Sequence, residues 1–240
     1  MKLKQIKLPS LKNEDLAYLC GVLAGDGSIY VNYKKYDYAI KCVGNPIKER
    51  GFYNDIIAPL FFNLFGLIVI PKFHDKETTY GISLSSKNLV NFLVDLGLPC
   101  GKKYDQLKIP EPFLKKRELT FAFVRGLADT DFCLTLKRGK YPRIIGTSKS
   151  NPFMLQVYSF LKKESFCPYF QKREYYDKRV DKIEITYSIS LSGHKQLILW
   201  LNKIGFRNNR NLKQVKEWIT KNNSNNKVAT FKSQKPFFLS

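Results

Sequence analysis

Histidine, methionine and tryptophan are scarce in this 240-residue chain, at two residues each. With only His74 and His194, histidine-based metal binding or triad catalysis is not expected. The five cysteines are odd in number and widely spaced, and none belongs to a Cys-x-x-Cys pair. This usage argues against a zinc site or a disulfide framework and predicts free thiols in a reducing compartment.

Long apolar runs are also missing. The most apolar stretch, IIAPLFFNLFGLIVI at 56–70, has 15 residues and is interrupted by Pro59 and Asn63. A membrane span needs about 20 apolar residues, so this stretch is expected to form buried core. The N-terminal sequence does not resemble a signal peptide. We expect an intracellular protein, in the cytoplasm, nucleoid or an organelle matrix, that is neither secreted nor bound to a membrane.

Acidic residues are half as numerous as basic ones. The chain has 20 Asp and Glu against 41 Lys and Arg, a net charge of +21, together with 14 Tyr and 18 Phe. A strong positive field combined with many aromatic side chains predicts a polyanionic partner, most often nucleic acid. The alternative is a lysine-rich composition that reflects no particular partner.

A motif occurs twice in the chain. Residues 16–28 read LAYLCGVLAGDGS and residues 121–133 read FAFVRGLADTDFC. In each copy three small residues lie four apart in a helical pattern, and an aspartate follows the third, namely Asp26 and Asp131. Residues four apart share one face of a helix. The two helices are therefore predicted to pack closely through Ala17, Gly21, Gly25, Ala122, Gly126 and Thr130.

The residues after each motif match as well. Two strands around a basic turn follow each motif, then a helix beginning near Asn45-Pro46 or Asn151-Pro152, two further strands and a closing helix. The predicted fold class is α+β, with two pseudo-symmetric αββαββα repeats, antiparallel saddle-shaped sheets and paired motif helices. The predicted domains are a first repeat at 14–97, a linker at 98–116, a second repeat at 117–205, and a C-terminal helix and mobile tail at 206–240.

Close packing of the motif helices would place Asp26 and Asp131 side by side. Two carboxylates there repel each other, and each also faces the negative end of a helix dipole. A hard divalent cation such as Mg²⁺ resolves this conflict, because it binds one or two carboxylates together with phosphate oxygens and water. The alternative is that either aspartate only caps a turn.

The segments LCGVLAGDG (19–27) and VRGLADTDF (124–132) resemble the two motif copies of the LAGLIDADG homing endonucleases, and the linker resembles that of archaeal-type members. This resemblance implies a monomer that cleaves both strands of a long double-stranded DNA target with Mg²⁺ or Mn²⁺. It implies metal-binding roles for Asp26 and Asp131, with Gly25 and Thr130 in the same site. Asn45 and Lys149 match basic or polar positions near the scissile phosphates and are further catalytic candidates.

The second motif departs from the family pattern at two positions. Phe132 stands where the family usually has Gly, as Gly27 does in the first copy. A bulky side chain beside a metal ligand is expected to shift the local geometry. Asp129 matches an inner acidic position that is not catalytic, and its counterpart Ala24 has no carboxylate.

Polar side chains alternate along several predicted strands. Because a strand alternates its faces, such rows suit a sheet in the major groove, and the basic turns suit phosphate contacts. Some rows are expected to be ordinary solvated faces. The DNA-binding candidates are Ser28, Tyr30, Asn32, Lys34, Lys35, Lys72, His74, Lys76, Thr135, Lys137, Arg138, Lys140, Tyr169, Gln171, Arg173 and Tyr175.

Two alternative functions are open on the same scaffold. One is an RNA maturase that binds its own intron RNA, and the other is a DNA-binding protein that has lost catalysis. Retention of both Asp26 and Asp131 favours the nuclease. The stretch GLPCGKKY at 97–104 resembles a phosphate-binding loop, but it has three residues between its glycines and no Ser or Thr after the lysines, so nucleotide binding is not predicted.

Overall fold

Two αββαββα repeats follow one another along the chain. The computed structural model describes residues 6–103, 106–177 and 181–223. Helix α4 lies between the repeats and α8 follows the second. The predicted α+β class and repeated order are confirmed. The elements are α1 Glu14–Gly25, β1 Gly27–Asn32, β2 Asp37–Gly44, a π-helix Phe52–Ile57 continuing into α2 Ala58–Phe65, β3 Lys72–His74, β4 Thr79–Ser85, α3 Lys87–Asp95, α4 Glu111–Leu114, α5 Arg117–Asp131, β5 Phe132–Lys137, β6 Tyr141–Ser148, α6 Asn151–Lys163, β7 Tyr169–Asp177, β8 Lys182–Ser192, α7 His194–Lys203 and α8 Asn209–Asn223.

Each repeat contains one antiparallel four-stranded sheet. The strand orders are β1-β2-β4-β3 and β5-β6-β8-β7, so the two sheets have the same topology. In β1 the side chains alternate, with Ile29 buried and Ser28 and Tyr30 exposed. Each sheet therefore turns one face to the helices and presents the other to solvent.

The motif helices α1 and α5 touch through their glycines. A methyl group at Gly21 would overlap the carbonyl oxygen of Phe123 and lie 2.9 Å from the backbone nitrogen of Leu127. A methyl group at Gly126 would likewise overlap the carbonyl oxygen of Tyr18. Each glycine thus lies against the backbone of the other helix. This close approach is what offsets the helix-propensity penalty of about 1 kcal/mol for each glycine.

Phe132 is accommodated by a glycine on the neighbouring strand. It pairs with Gly146 in the β5–β6 register, and any Cβ at Gly146 would overlap its ring. The ring is 2% exposed and stacks on Trp200, with centroids 6.0 Å apart. In the first repeat the equivalent pair is Gly27 with Cys42, so the large and small residues are exchanged. The expected disturbance beside Asp131 is therefore corrected: the Phe132 ring fills the core.

The helix after β2 begins later than Asn45-Pro46. Residues 45–49 form a turn, in which the Asn45 side-chain oxygen accepts hydrogen bonds from the backbone N–H groups of Ile47 (3.0 Å) and Lys48 (2.9 Å). Helical structure starts at residue 50 and includes the π-helix at Phe52–Ile57. The second repeat follows the prediction, because Ser150 caps α6 and Pro152 lies in its first turn.

The segment 98–116 is part of the core, although it was predicted as a linker. It contains α4, and Leu98, Leu107, Ile109 and Phe113 are buried. Residues 224–240, where a mobile tail is predicted, lie outside the described residues. The domain boundaries themselves remain predictions.

The apolar stretch at 56–70 supplies core residues to the first repeat. Ile57, Leu60, Phe61, Leu64 and Phe65 are buried on one side of the helix. The expectation of buried core holds for these residues only, because Phe62, Ile68 and Ile70 of the same stretch are exposed. Across the described ranges, the helices are all too short or too polar to cross a bilayer.

We predict that Gly21→Ala lowers the free energy of unfolding by about 2 kcal/mol or more, because the new methyl group must push the α5 backbone away. Denaturant unfolding of the purified variant measures this loss. Gly51→Ala is the matched control, because a Cβ there meets only side-chain ends, at 3.3 Å, and should change stability by less than about 1 kcal/mol. A Gly21→Ala protein as stable as the wild type would contradict the helix contact.

Candidate functional site

Asp26 and Asp131 lie where the paired helices end. Asp26 is the C-cap residue of α1, and Asp131 is the last residue of α5. The position of a Cβ on Gly25 would be 3.3 Å from the carboxyl carbon of Asp131 and would overlap the Thr130 hydroxyl. The lack of a side chain at Gly25 therefore allows the Asp131 carboxylate to approach the end of α1.

The two carboxylates repel each other in a partly desolvated cleft. Burial, the Asp131 charge and the Glu49 charge raise the pKa of Asp26 to about 7, against the opposing effect of Lys103 and Arg210. Burial raises the pKa of Asp131 to about 6, and the same two cations oppose it. Around neutral pH, Lys103 and Arg210 therefore compensate the negative charge of the two carboxylates only in part.

Lys103 caps the end of α1. Its ammonium donates hydrogen bonds to the carbonyl oxygens of Leu23 (3.0 Å), Ala24 (3.1 Å) and Gly25 (2.7 Å). These carbonyls are among those that a helix leaves without internal partners, and a cation there also opposes the negative end of the dipole. Burial is the main cause that lowers the pKa of Lys103.

Arg210 performs the same task for α5. Its guanidinium donates to the carbonyl oxygens of Thr130 (2.9 Å) and Phe132 (3.1 Å) and forms an ion pair with Glu49 (3.2 Å). Lys103 follows the closing glycine of the first repeat by six residues, and Arg210 follows that of the second by five. A capping cation therefore follows the closing helix of each repeat.

The predicted metal site lies beside these capped carbonyl groups, and the roles of its residues stay predictions. The carbonyl oxygens of Gly25 and Thr130 already accept hydrogen bonds from Lys103 and Arg210. The acidic side chains at the helix ends that could ligate a metal ion are Asp26 and Asp131. Within the described residues no cluster of three or more His, Cys, Asp or Glu side chains is placed to hold a metal. A pair of carboxylates still fits Mg²⁺, which takes its other ligands from phosphate and water.

Lys149 borders a cavity that opens beside Asp131. The cavity has a volume of about 260 Å³ and its lining includes Gly25, Lys103, Asp131 and Lys149. The Lys149 ammonium lies 2.5 Å from Glu184 Oε2. Asn45, by contrast, uses its side-chain oxygen to cap the 45–49 turn. Of the two further catalytic candidates, the structure brings Lys149 to this cavity and gives Asn45 a capping role.

The side chains around Asp26 differ from those around Asp131. The Tyr53 hydroxyl donates a hydrogen bond to its carboxylate (3.4 Å), and Tyr53 comes from the π-helix. Glu49, which is 4% exposed, accepts a hydrogen bond from the backbone nitrogen of Asn45 (2.6 Å). Sequence reasoning missed Tyr53, Glu49, Lys103 and Arg210. The similar spacing of Lys103 and Arg210 after the closing glycines, six and five residues, is a signal that the sequence displays.

Asp129 is a buried structural acid. It accepts hydrogen bonds from the Tyr18 hydroxyl (2.6 Å) and from the backbone nitrogens of Arg207 (2.9 Å) and Asn208 (3.0 Å). Burial raises its pKa to about 6, although these hydrogen bonds lower it. Asp129 thus ties the start of α8 to α5, and α8 carries Arg210 to the site.

The open face of the first sheet carries a polar row. Ser28 pairs with Lys41, and Lys41 pairs with Ser83 across three strands. Sequence reasoning missed Lys41, which binds Asp75 (2.7 Å). The prediction that Lys76 belongs to a strand row is wrong, because Lys76 lies in the β3–β4 turn with a φ of 56°. The other candidates on or beside this face are Tyr30, Asn32, Lys34, Lys35, Lys72 and His74.

The second sheet has the longer polar row. Ile189 opposite Phe170 is buried, so the residues on either side of Phe170 turn to the open face. That face therefore holds Tyr169, Gln171, Arg173 and Tyr175. Thr135 pairs with Arg143, a further basic residue that sequence reasoning missed. Lys137 ends β5, and Arg138 and Lys140 lie in the turn that follows.

Solved structures share this architecture. A crystal structure of I-DmoI, described as being in complex with DNA and Ca, is 18% identical, with a TM-score of 0.59 over 85% of this chain and 97% of that one. The chain has the fold of the LAGLIDADG homing endonucleases. I-WcaI, a homing endonuclease bound to its DNA recognition sequence, shares this LAGLIDADG fold with 12% identity and a TM-score of 0.54, over 88% of this chain and 89% of that one.

Sequence comparison adds curated relatives that are much longer than this chain. The replication factor C small subunit of Methanocaldococcus jannaschii is 30% identical over 223 residues, which are 93% of this LAGLIDADG-fold chain. The chain spans only 11% of the length of that protein. No protein-family model matches the chain.

We predict that Asp26→Asn stabilises the protein at pH 8 and does so by a clearly smaller amount at pH 5. A carboxyl whose folded pKa is raised from 3.8 to about 7 binds extra protons when folded, so it loses stability as the pH rises through that range. Asparagine avoids this loss. After a discount for solvent screening, we expect a gain of about 1–2 kcal/mol at pH 8 without divalent metal.

Calorimetry in EDTA at the two pH values measures this effect. Asp95→Asn, an exposed acid at the end of α3, is the control and should show no pH-dependent gain. An Asp26→Asn protein that is less stable than the wild type at pH 8 would contradict the mutual repulsion of the carboxylates.

Proposed function

We propose that the chain is a site-specific endonuclease that hydrolyses one phosphodiester bond on each strand of a long double-stranded DNA target. The observation that carries this proposal is the meeting of two acidic helix ends between two open, polar sheet faces. β1 begins at Gly27, next to Asp26, and β5 begins at Phe132, next to Asp131. A duplex lying along both sheets would therefore pass the two carboxylates.

Asp26 and Asp131 would hold a divalent ion, Mg²⁺ or Mn²⁺. When bound, such an ion supplies Lewis-acid activation of water and stabilisation of the leaving oxygen. The two carboxylates fit this task because their repulsion favours binding of a cation. Lys103 and Arg210 hold the ends of the two helices in place and supply positive charge close to the acids. The relatives of the same fold that were solved with DNA support this assignment.

Lys149 would stabilise the charge that develops on the phosphate. Lys149 lines the cavity together with Lys103 and Asp131, so a phosphate there would lie near two cationic side chains. Donors held in place before the reaction are effective because they need no reorganisation. The sheets would bind the major groove, with basic turn residues such as Lys34 and Arg138 on the phosphates.

One chain supplies both acids, so the proposed enzyme acts as a monomer. An RNA maturase or a non-cleaving DNA-binding protein on this scaffold would not need two repelling carboxylates at the helix ends. Phe132, whose bulk beside Asp131 is expected from the sequence to shift the local geometry, packs into the core, and Asp131 still lines the cavity. Both alternatives are outcomes of the experiments below.

We predict that Asp26→Asn and Asp131→Asn each abolish double-strand cleavage and leave DNA affinity within about threefold. The substrate is a supercoiled plasmid that carries the uninterrupted allele of the host gene, incubated with Mg²⁺. Gel electrophoresis measures cleavage. Asp95→Asn, outside the site, is the control and should cut at the wild-type rate. Cleavage by Asp131→Asn at the wild-type rate would contradict the metal assignment.

We further predict that DNA affinity falls about a hundredfold or more between about 50 and 200 mM salt, because a protein that contacts many phosphates releases their counterions. Fluorescence anisotropy with the same target as a labelled duplex measures this slope, and the Asp131→Asn protein prevents cleavage during titration. A flat salt response would contradict binding through the basic sheet faces. Tighter binding of the matching RNA than of the duplex would favour the maturase.

A further inference from the structure

The β7–β8 ribbon of the second repeat extends beyond its sheet. The last pair between β6 and β8 joins Ser148 to Tyr187, whereas β8 begins at Lys182. Residues 182–186 therefore pair with β7 but not with β6. Thr186 in this extension lines the cavity beside Asp131, so the ribbon continues from the wall of the candidate active site.

Glu184 in this extension binds two lysines. Its carboxylate lies 2.5 Å from the Lys149 ammonium and 2.8 Å from that of Lys182. Glu184 is only 8% exposed, although it lies on the same face as exposed Tyr175, with which it pairs. Hydrogen bonds from the two lysines hold the pKa of Glu184 below its usual range. The carboxylate is therefore a fixed negative partner for Lys149.

The first repeat has a different arrangement at the matching positions. Gly44 pairs with Tyr80 there, as Ser148 pairs with Tyr187, so Asn45 corresponds to Lys149 and Glu77 to Glu184. Asn45 caps a turn. Glu77 is exposed in the β3–β4 turn with a φ of 67°. The lysine–glutamate pair is thus a feature of the second repeat.

We propose that Glu184 is a positioning residue, which holds Lys149 in the cavity beside Asp131 and thereby supports cleavage of one of the two DNA strands. This inference rests on the proposed nuclease function. Lys149 has a long, flexible side chain, and an ion pair with a buried carboxylate limits the positions of its ammonium group. Glu184 itself does not touch the reacting atoms in this role. The other strand, which the first repeat serves, would be cut without such a pair.

Glu184→Gln tests this inference, because glutamine keeps the shape of the side chain and removes its charge. The plasmid target is used with a different fluorophore on each strand, and single-turnover rates are measured for the two strands separately. We expect about a tenfold or greater loss of rate on one strand, a change of less than about twofold on the other, and accumulation of nicked plasmid. DNA affinity should stay unchanged.

Lys149→Met, at a side chain that is 38% exposed, tests the same inference without substituting the buried acid. It should slow the same strand, and adding Glu184→Gln to it should cause no further loss. Glu174→Gln is the matched control, because Glu174 lies on the same ribbon in an ion pair with Lys172 (2.6 Å), away from the cavity. It should leave both rates unchanged.

Equal slowing of both strands, no slowing of either, or a full Glu184→Gln effect in the Lys149→Met background would overturn the positioning role. If the wild type cuts both strands and Glu184→Gln cuts them at the same rates, this inference alone would be overturned. A wild-type protein that cuts neither strand would overturn it together with the proposed nuclease function.

Discussion

The contact between the backbones of α1 and α5 is the constraint on which the site depends. Gly21 and Gly126 each lie against a carbonyl oxygen of the opposite helix, so neither position has room for a methyl group. Because the helices touch along this line, their C-terminal ends meet as well. Asp26 and Asp131, which directly follow the last small residue of each stripe, are brought together at that point. The close packing of the two helices therefore also brings the two acids together.

This contact creates an electrostatic problem that other segments partly solve. Two carboxylates and two helix C-termini gather in one desolvated place, where like charges repel strongly. Lys103, from the segment between the repeats, and Arg210, from α8, bind the exposed carbonyl oxygens of the two helices. Asp129 in turn holds the start of α8 in place. The segments outside the two repeats thus serve the charge balance of the site.

Duplication has left the two halves alike in topology and different in chemistry. The Phe132–Gly146 pair takes the place of Gly27–Cys42, and in each pair one residue is a glycine. The surroundings of the two acids are not alike: Tyr53 hydrogen-bonds to Asp26, whereas Asp131 borders an open cavity. The pseudo-symmetric fold therefore surrounds its two acids unequally.

The sequence by itself determined the repeat, the strand and helix order, the pairing of the motif helices and the identity of the two acids. These follow from local periodicity and from small residues spaced by one helical turn, which a single chain displays directly. Only the tertiary structure decided which side chains surround the acids. Tyr53, Glu49, Lys103, Arg210 and Glu184 come from five separate segments, and their approach depends on how the sheets and the connecting segments pack. The late helix start after Asn45 has the same cause, because capping of a local turn competes there with a helix that the Asn-Pro pattern alone favours.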